Sequence, residues 1–176
     1  MNRALVLTIF ALGFIPATAR AQVQPPPAVD VTVADIEAAL ATAAPDVASD
    51  LPIRVVSAGS YNIGIYVVNR PKTIKNNAII HETQVAEVYH ILKGSGTLVT
   101  GGTLAGPITR EAPGTTVLSS INNVRGTSIT GGRSRHVSAG DVVVIPGYVA
   151  HWWSSLDSDM TYLVVRPDPA KVLPRK

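Results

Sequence analysis

The 176-residue chain contains no cysteine, which removes disulfides and thiolate metal ligands and leaves its stability to a packed core. Its length suits a single domain with room for such a core, and its 46% hydrophobic content, plentiful in Val, Ile and Thr but with only 2 Phe and 2 Trp, suits strands. The formal charge of +3 arises from 15 basic and 12 acidic residues with no Lys/Arg run, which argues against the clustered basic face that a nucleic-acid backbone wants.

The first segment reads as an export signal over residues 1–21. Arg3 supplies a positive start, Ala4 to Ile15 is an apolar run, and Ala19-Arg20-Ala21 places small residues where a signal peptidase reads. The apolar run falls short of the ~20 residues that span a bilayer as a helix, so a periplasmic or secreted chain with no membrane span after cleavage is expected. Removing Arg3 and Arg20 from the 15 basic residues leaves 13 against 12 acidic, a nearly neutral mature protein.

Residues 22–32 carry Pro25-Pro26-Pro27, which fixes φ and removes amide donors, and so predict an extended linker. Thr32 and Asp35 have the spacing of a capping box, and Val33, Ile36, Ala39 and Leu40 follow at helical intervals. The spacing predicts a short helix from about Val33 to Ala44, stopped by Pro45, inside a helix-and-connector segment of residues 33–50. From there a single all-β domain over residues 51–170 is expected. Short β-rich runs lie near Ile53–Ser57, Tyr61–Val68, Ala78–Glu82, Ala86–Leu92, Gly96–Thr100, Thr115–Ser119, Asp141–Ile145, His151–Ser154 and Met160–Arg166. Many short strands punctuated by turn residues argue for a sandwich or barrel. Gly101 to Gly132 holds seven glycines and two prolines, and predicts a long loop with one strand near Thr115.

Four histidines are available: His81, His90, His136 and His151. In one straight strand His81 and Glu87 would stand roughly 20 Å apart, at ~3.3 Å per residue. A reversal centred on Gln84 would instead pair them across two strands, with Cβ atoms about 5 Å apart, close enough for one cation. Strand alternation puts Glu87, Tyr89 and Ile91 on one face and Val88, His90 and Leu92 on the other. Tyr89 then lines a pocket or packs in the core, and His90 packs elsewhere. His136, among Arg133, Ser134 and Arg135, suits the surface. Further on, Gly140-Asp141 turns into the apolar run Val142 to Ile145, as a strand buried on both faces would show, and Pro146-Gly147 ends it. His151 follows at a strand start, with Trp152 and Trp153 in opposite orientations, so at most one of the two faces a cavity.

These residues resemble the two motifs of the cupin superfamily. The first motif is Gly, five residues, His-x-His, three or four residues, Glu, six residues, Gly, and here His81, Glu87 and Gly94 fall in register. The second is Gly, five residues, Pro-x-Gly, two residues, His, three residues, Asn, matched by Gly140, Pro146 and His151. The resemblance covers roughly Val55 to Arg166. It departs from the pattern at Lys75 and Tyr148, where glycines are expected, at Thr83, where the second histidine is expected, and at Ser155, where the closing Asn is expected.

The resemblance implies a jelly-roll β-barrel and a divalent metal, Fe, Mn, Zn, Ni or Cu, held by His81, Glu87 and His151. Two imidazoles and one carboxylate suit Fe(II) with open positions or a catalytic zinc completed by water, and Gln84 or Thr83 could add a weak fourth ligand. The implied function is a metal-dependent small-molecule enzyme, first an oxygenase and next an isomerase or lyase, with Tyr89 and the Gly101–Gly132 loop shaping access. A barrel without metal would leave Glu87 and His151 as an acid and base pair. A non-catalytic exported module that binds or senses a small ligand is the alternative, because one scaffold hosts many functions. A homodimer is also implied, with Ile53–Ser57 as candidate edge strand.

Overall fold

The computed structural model describes residues 27–111 and 122–174. The export signal, residues 22–26 of the proline linker and the strand expected at Thr115–Ser119 lie outside the described residues. Helix α1 spans Val33–Leu40 and begins with the expected capping box: the Thr32 hydroxyl accepts from the Asp35 amide while the Asp35 carboxylate accepts from the Thr32 amide. It stops short of Ala44. The Thr42 amide and hydroxyl both donate to the Ala39 carbonyl and tighten the last turn, so the helix ends several residues before Pro45.

Thirteen strands follow among the described residues. The first five are β1 (Ser49–Ser57), β2 (Asn62–Arg70), β3 (Ala78–His81), β4 (Glu87–Lys93) and β5 (Ser95–Thr100). Next come β6 (Thr103–Ala105), β7 (Thr109–Glu111), β8 (Asn123–Gly126), β9 (Ser128–Thr130) and β10 (Arg133–Ser138). The chain then closes with β11 (Val142–Ile145), β12 (His151–Leu156) and β13 (Met160–Asp168). One antiparallel sheet has the order β1-β2-β13-β4-β11, a second has β10-β5-β12-β3-β8-β7, and β6 pairs with β9. From β2 to β5 and again from β10 to β13 the chain alternates between these two sheets, and their inner faces share one core that includes Tyr66, Tyr89, Ile91, Leu98, Trp153 and Tyr162. The fold is therefore the all-β jelly roll expected, in its two-sheet form; among the described residues no hydrogen-bonded ring closes the two sheets into one barrel.

Three expectations are corrected. The Gly101–Gly132 stretch is not one long loop, since β6, β7, β8 and β9 lie in it. These strands have three or four residues each, too short to establish an alternation. Strand β10 was likewise absent from the sequence reading, because Val137 is its one buried residue and its other side chains are polar. Finally, β11 is not covered on both faces. It is the edge of its sheet, with Val143 and Ile145 inside and Val142 and Val144 each 62% exposed. β1, containing Ile53–Ser57, is the opposite edge, as expected.

Gly94, the closing glycine of motif one, lets the chain pass from β4 into β5. It has φ 85, and a Cβ there would strike the Asp159 backbone.

Candidate metal centre

His81 ends β3, Glu87 opens β4 and His151 opens β12. His81 and Glu87 are not cross-strand partners, contrary to the hairpin expected: β3 lies in the six-stranded sheet and β4 in the five-stranded one. The five residues between them carry the chain from one sheet to the other. Thr83 supplies the turn signal that the lack of Gly, Pro or Asn concealed, its hydroxyl accepting from the Val85 amide at 3.3 Å while its own amide donates to the His81 carbonyl at 2.8 Å. Gly147 lets the second motif press against this crossing, since a Cβ there would overlap the Thr83 and Gln84 backbone. The two motifs are thus in direct contact.

The result is a buried cluster in which one ligand atom from each of His81, Glu87 and His151 lies within 4.8 Å of the others. Glu87 Oε2 is 3.3 Å from His151 Nε2 and 3.7 Å from His81 Nε2. Ligand atoms about 2.0 to 2.2 Å from one ion, at angles between a right angle and tetrahedral, stand about 2.8 to 3.6 Å apart, a spacing the two carboxylate–imidazole distances already approach.

Proton placement favours a cation here. His151 Nδ1 lies 3.0 Å from the Val149 carbonyl, which can only accept, so this nitrogen carries the proton. Burial pushes the His151 pKa down to about 4 against the opposing pull of Glu87, which leaves the ring neutral at pH 7 and Nε2 a bare lone pair. His81 is placed similarly, with Nδ1 2.6 Å from Asn123 Oδ1 and Nε2 3.7 Å from the same carboxylate oxygen. An acceptor nitrogen facing a carboxylate oxygen is repulsive until a cation stands between them. Val149 and Asn123 also fix each ring, as partners behind metal-bound imidazoles do.

Arg166, on β13, completes the electrostatics. Its Nε and Nη2 donate to Glu87 Oε1 at 2.9 and 2.7 Å, and its Nη1 and Nη2 donate to Asp50 at 3.1 and 2.6 Å. Its guanidinium lies 4.3 Å over the Tyr66 ring. Burial alone would raise the Glu87 pKa, but the Arg166 guanidinium beside it overcomes this and holds the carboxyl ionised, well below the usual range. Oε1 is therefore occupied, and Oε2 is the oxygen presented to the histidines. Tyr89 donates its hydroxyl to Oε2 at 3.0 Å and packs its ring 4.6 Å from Tyr162, so it both lines the cavity and belongs to the core.

The other candidates are placed elsewhere. Gln84 is exposed and does not line the cavity, and Thr83 uses its hydroxyl in the crossing turn, so neither is brought to the cluster. His90 is exposed on the outer face of β4, and His136 lies on the surface 2.8 Å from Asp157. Trp153 is in the core, while Trp152 is half-buried and donates to the Asn76 carbonyl. Arg166, Asn123 and Arg70 were missed by sequence reasoning. Most of their partners are remote in sequence, and no motif spacing marks them.

The cluster opens into a cavity of about 470 Å³ whose lining includes Val68, Arg70, Ile79, Tyr162 and Arg125, a size suited to a small molecule.

No family model matches this chain, and no curated protein matches it. Among solved structures, the DMSP lyase DddQ from Ruegeria pomeroyi is similar at 17% identity and a TM-score of 0.41, over 68% of this chain and 46% of that one, so the chain spans less than half of that relative. KdgF from Halomonas sp. is similar at 11% identity and a TM-score of 0.39, over 68% of this chain and 81% of that one. An uncharacterized conserved protein with a double-stranded beta-helix domain from Klebsiella pneumoniae is similar at 16% identity and a TM-score of 0.40, over 68% and 78%. These overlaps are too loose to carry a substrate or a reaction across. The chain has a jelly-roll fold, as its own sheet order shows, and the residues that resemble the cupin motifs turn inward from both sheets.

Proposed function

We propose that this protein is a metal-dependent enzyme acting on a small molecule, with His81, Glu87 and His151 as the metal ligands. The observation that carries the reading is the convergence of two imidazole Nε2 atoms on one carboxylate oxygen, at 3.3 and 3.7 Å, an arrangement that a divalent cation satisfies. Three protein ligands leave coordination positions for substrate or water, the condition for catalysis rather than for a closed structural site. When bound, the ion supplies Lewis acidity or, if it is iron, redox chemistry. Two imidazoles with one carboxylate suit iron(II) first and zinc next, which favours an oxygenase over an isomerase or lyase. Export is part of the proposal and rests on the signal pattern over residues 1–21; the pairing of two copies through the β1 edge rests on the resemblance.

One feature favours the non-catalytic alternative. Arg166 already neutralises Glu87, so the carboxylate is a weaker donor than an unpaired one and the cavity can stand as a ligand-binding pocket without an ion. Elemental analysis of protein purified without chelators separates the two readings. The enzyme reading expects close to one metal per chain in the wild type and at least a tenfold loss in His81→Ala and His151→Ala, with folding checked by circular dichroism. Metal-free wild-type protein that also takes up no added Fe(II) or Zn(II) would overturn it.

A further inference from the structure

The cavity lining contains two carboxylates, Asp50 and Glu87. Asp50 and Glu87 both give their charge to Arg166, through four hydrogen bonds. Arg70, at the end of β2, lines the same space in a different way. Its Nε donates to the Tyr162 hydroxyl at 2.7 Å and its Nη1 to Asn76 Oδ1 at 2.8 Å, both neutral acceptors. A guanidinium has five N–H donors and stays charged, and among the described residues three of these donors have no partner and no carboxylate stands within ion-pair distance. The group is also held still. Tyr162 is 1% exposed and its hydroxyl accepts from Trp153 Nε1 at 3.3 Å, which fixes the acceptor that fixes Arg70.

A half-buried guanidinium anchored from behind and open in front is the arrangement that receives a carboxylate through two parallel hydrogen bonds. Lys75, exposed on the cavity lining, adds positive potential at the entrance. Apolar walls at Val68, Ile74 and Ile79 provide for a short hydrocarbon body.

We propose that the ligand of this cavity is a small carboxylic acid, bound as its anion with the carboxylate on Arg70 and the remainder directed toward His81, Glu87 and His151. The inference rests on reading the cavity as a small-molecule site and holds for an enzyme or a binding protein alike.

The test uses calorimetric titration of the protein as purified with benzoate and butyrate, and with benzamide and butyramide as uncharged partners of the same shape. The expected result is at least tenfold tighter binding of one or both acids than of the matching amide, with that preference abolished in Arg70→Gln. Arg70→Lys keeps the charge and loses the fork, and should weaken acid binding at least threefold. Equal affinity for acids and amides in the wild type would overturn the proposal whatever the variants do, as would an acid preference that survives in Arg70→Gln. Metal content measured on the same samples keeps the two proposals apart, because Arg70 is not one of the three residues of the metal cluster and its variants should retain the ion.

Discussion

At the scale of single residues, Arg166 is the side chain whose loss should cost most. It is 2% exposed and neutralises two acids, one of them itself 3% exposed. Removing one partner of a buried ion pair leaves an uncompensated charge, at a cost of about 3–5 kcal/mol. Arg166→Met should lower unfolding stability by that amount in urea, whereas a loss under ~1 kcal/mol would mean that Glu87 finds another partner or takes up a proton. None of this was legible in the sequence, since Arg166 lies 79 residues from Glu87 and 116 from Asp50. His81, Glu87 and His151 were legible because a motif fixes their spacing, and Tyr89 because alternation along β4 fixes its face. A residue that acts by meeting a distant partner leaves no comparable trace.

At the scale of elements, the well-read strands were those with one wet and one dry face, such as β4 and β13. Alternation reports a face but not a partner, which is why β3 and β4 could be mistaken for a hairpin when they lie in opposite sheets. Apolar composition also misled at β11, where valine on the outer face belongs to an exposed edge rather than to a second buried layer. The turn from β11 to β12 offers a test. Tyr148 stands where the cupin motif has glycine, and it adopts φ 62 with its side chain 59% exposed. A left-handed backbone at a residue with a Cβ costs roughly 1–2 kcal/mol, while glycine adds freedom to the unfolded chain. Tyr148→Gly should therefore raise stability by about 1 kcal/mol in chemical denaturation, and a loss of similar size would show that the ring contributes packing despite its exposure.

At the scale of the whole molecule, composition and turn spacing sufficed for an all-β domain, and the motifs sufficed for a jelly roll. The order of strands within each sheet was beyond reach, because it depends on which chain crossings the core allows. The division of the cluster between sheets has a mechanical consequence. His81 and His151 come from one sheet and Glu87 from the other, so an ion held by all three would rivet the two halves of the molecule together, in a chain with no cysteine to do so. Binding only the folded chain, at about a hundredfold excess over its dissociation constant, an ion adds about 2.7 kcal/mol. Differential scanning calorimetry should show the melting temperature rising with added metal and falling with chelator, and a melt indifferent to both would count against the rivet. Since the three ligands are brought together only when the sheets close, metal release and sheet separation should be one cooperative event, and the rate at which the protein surrenders its ion would be a direct clock for the opening of the sandwich.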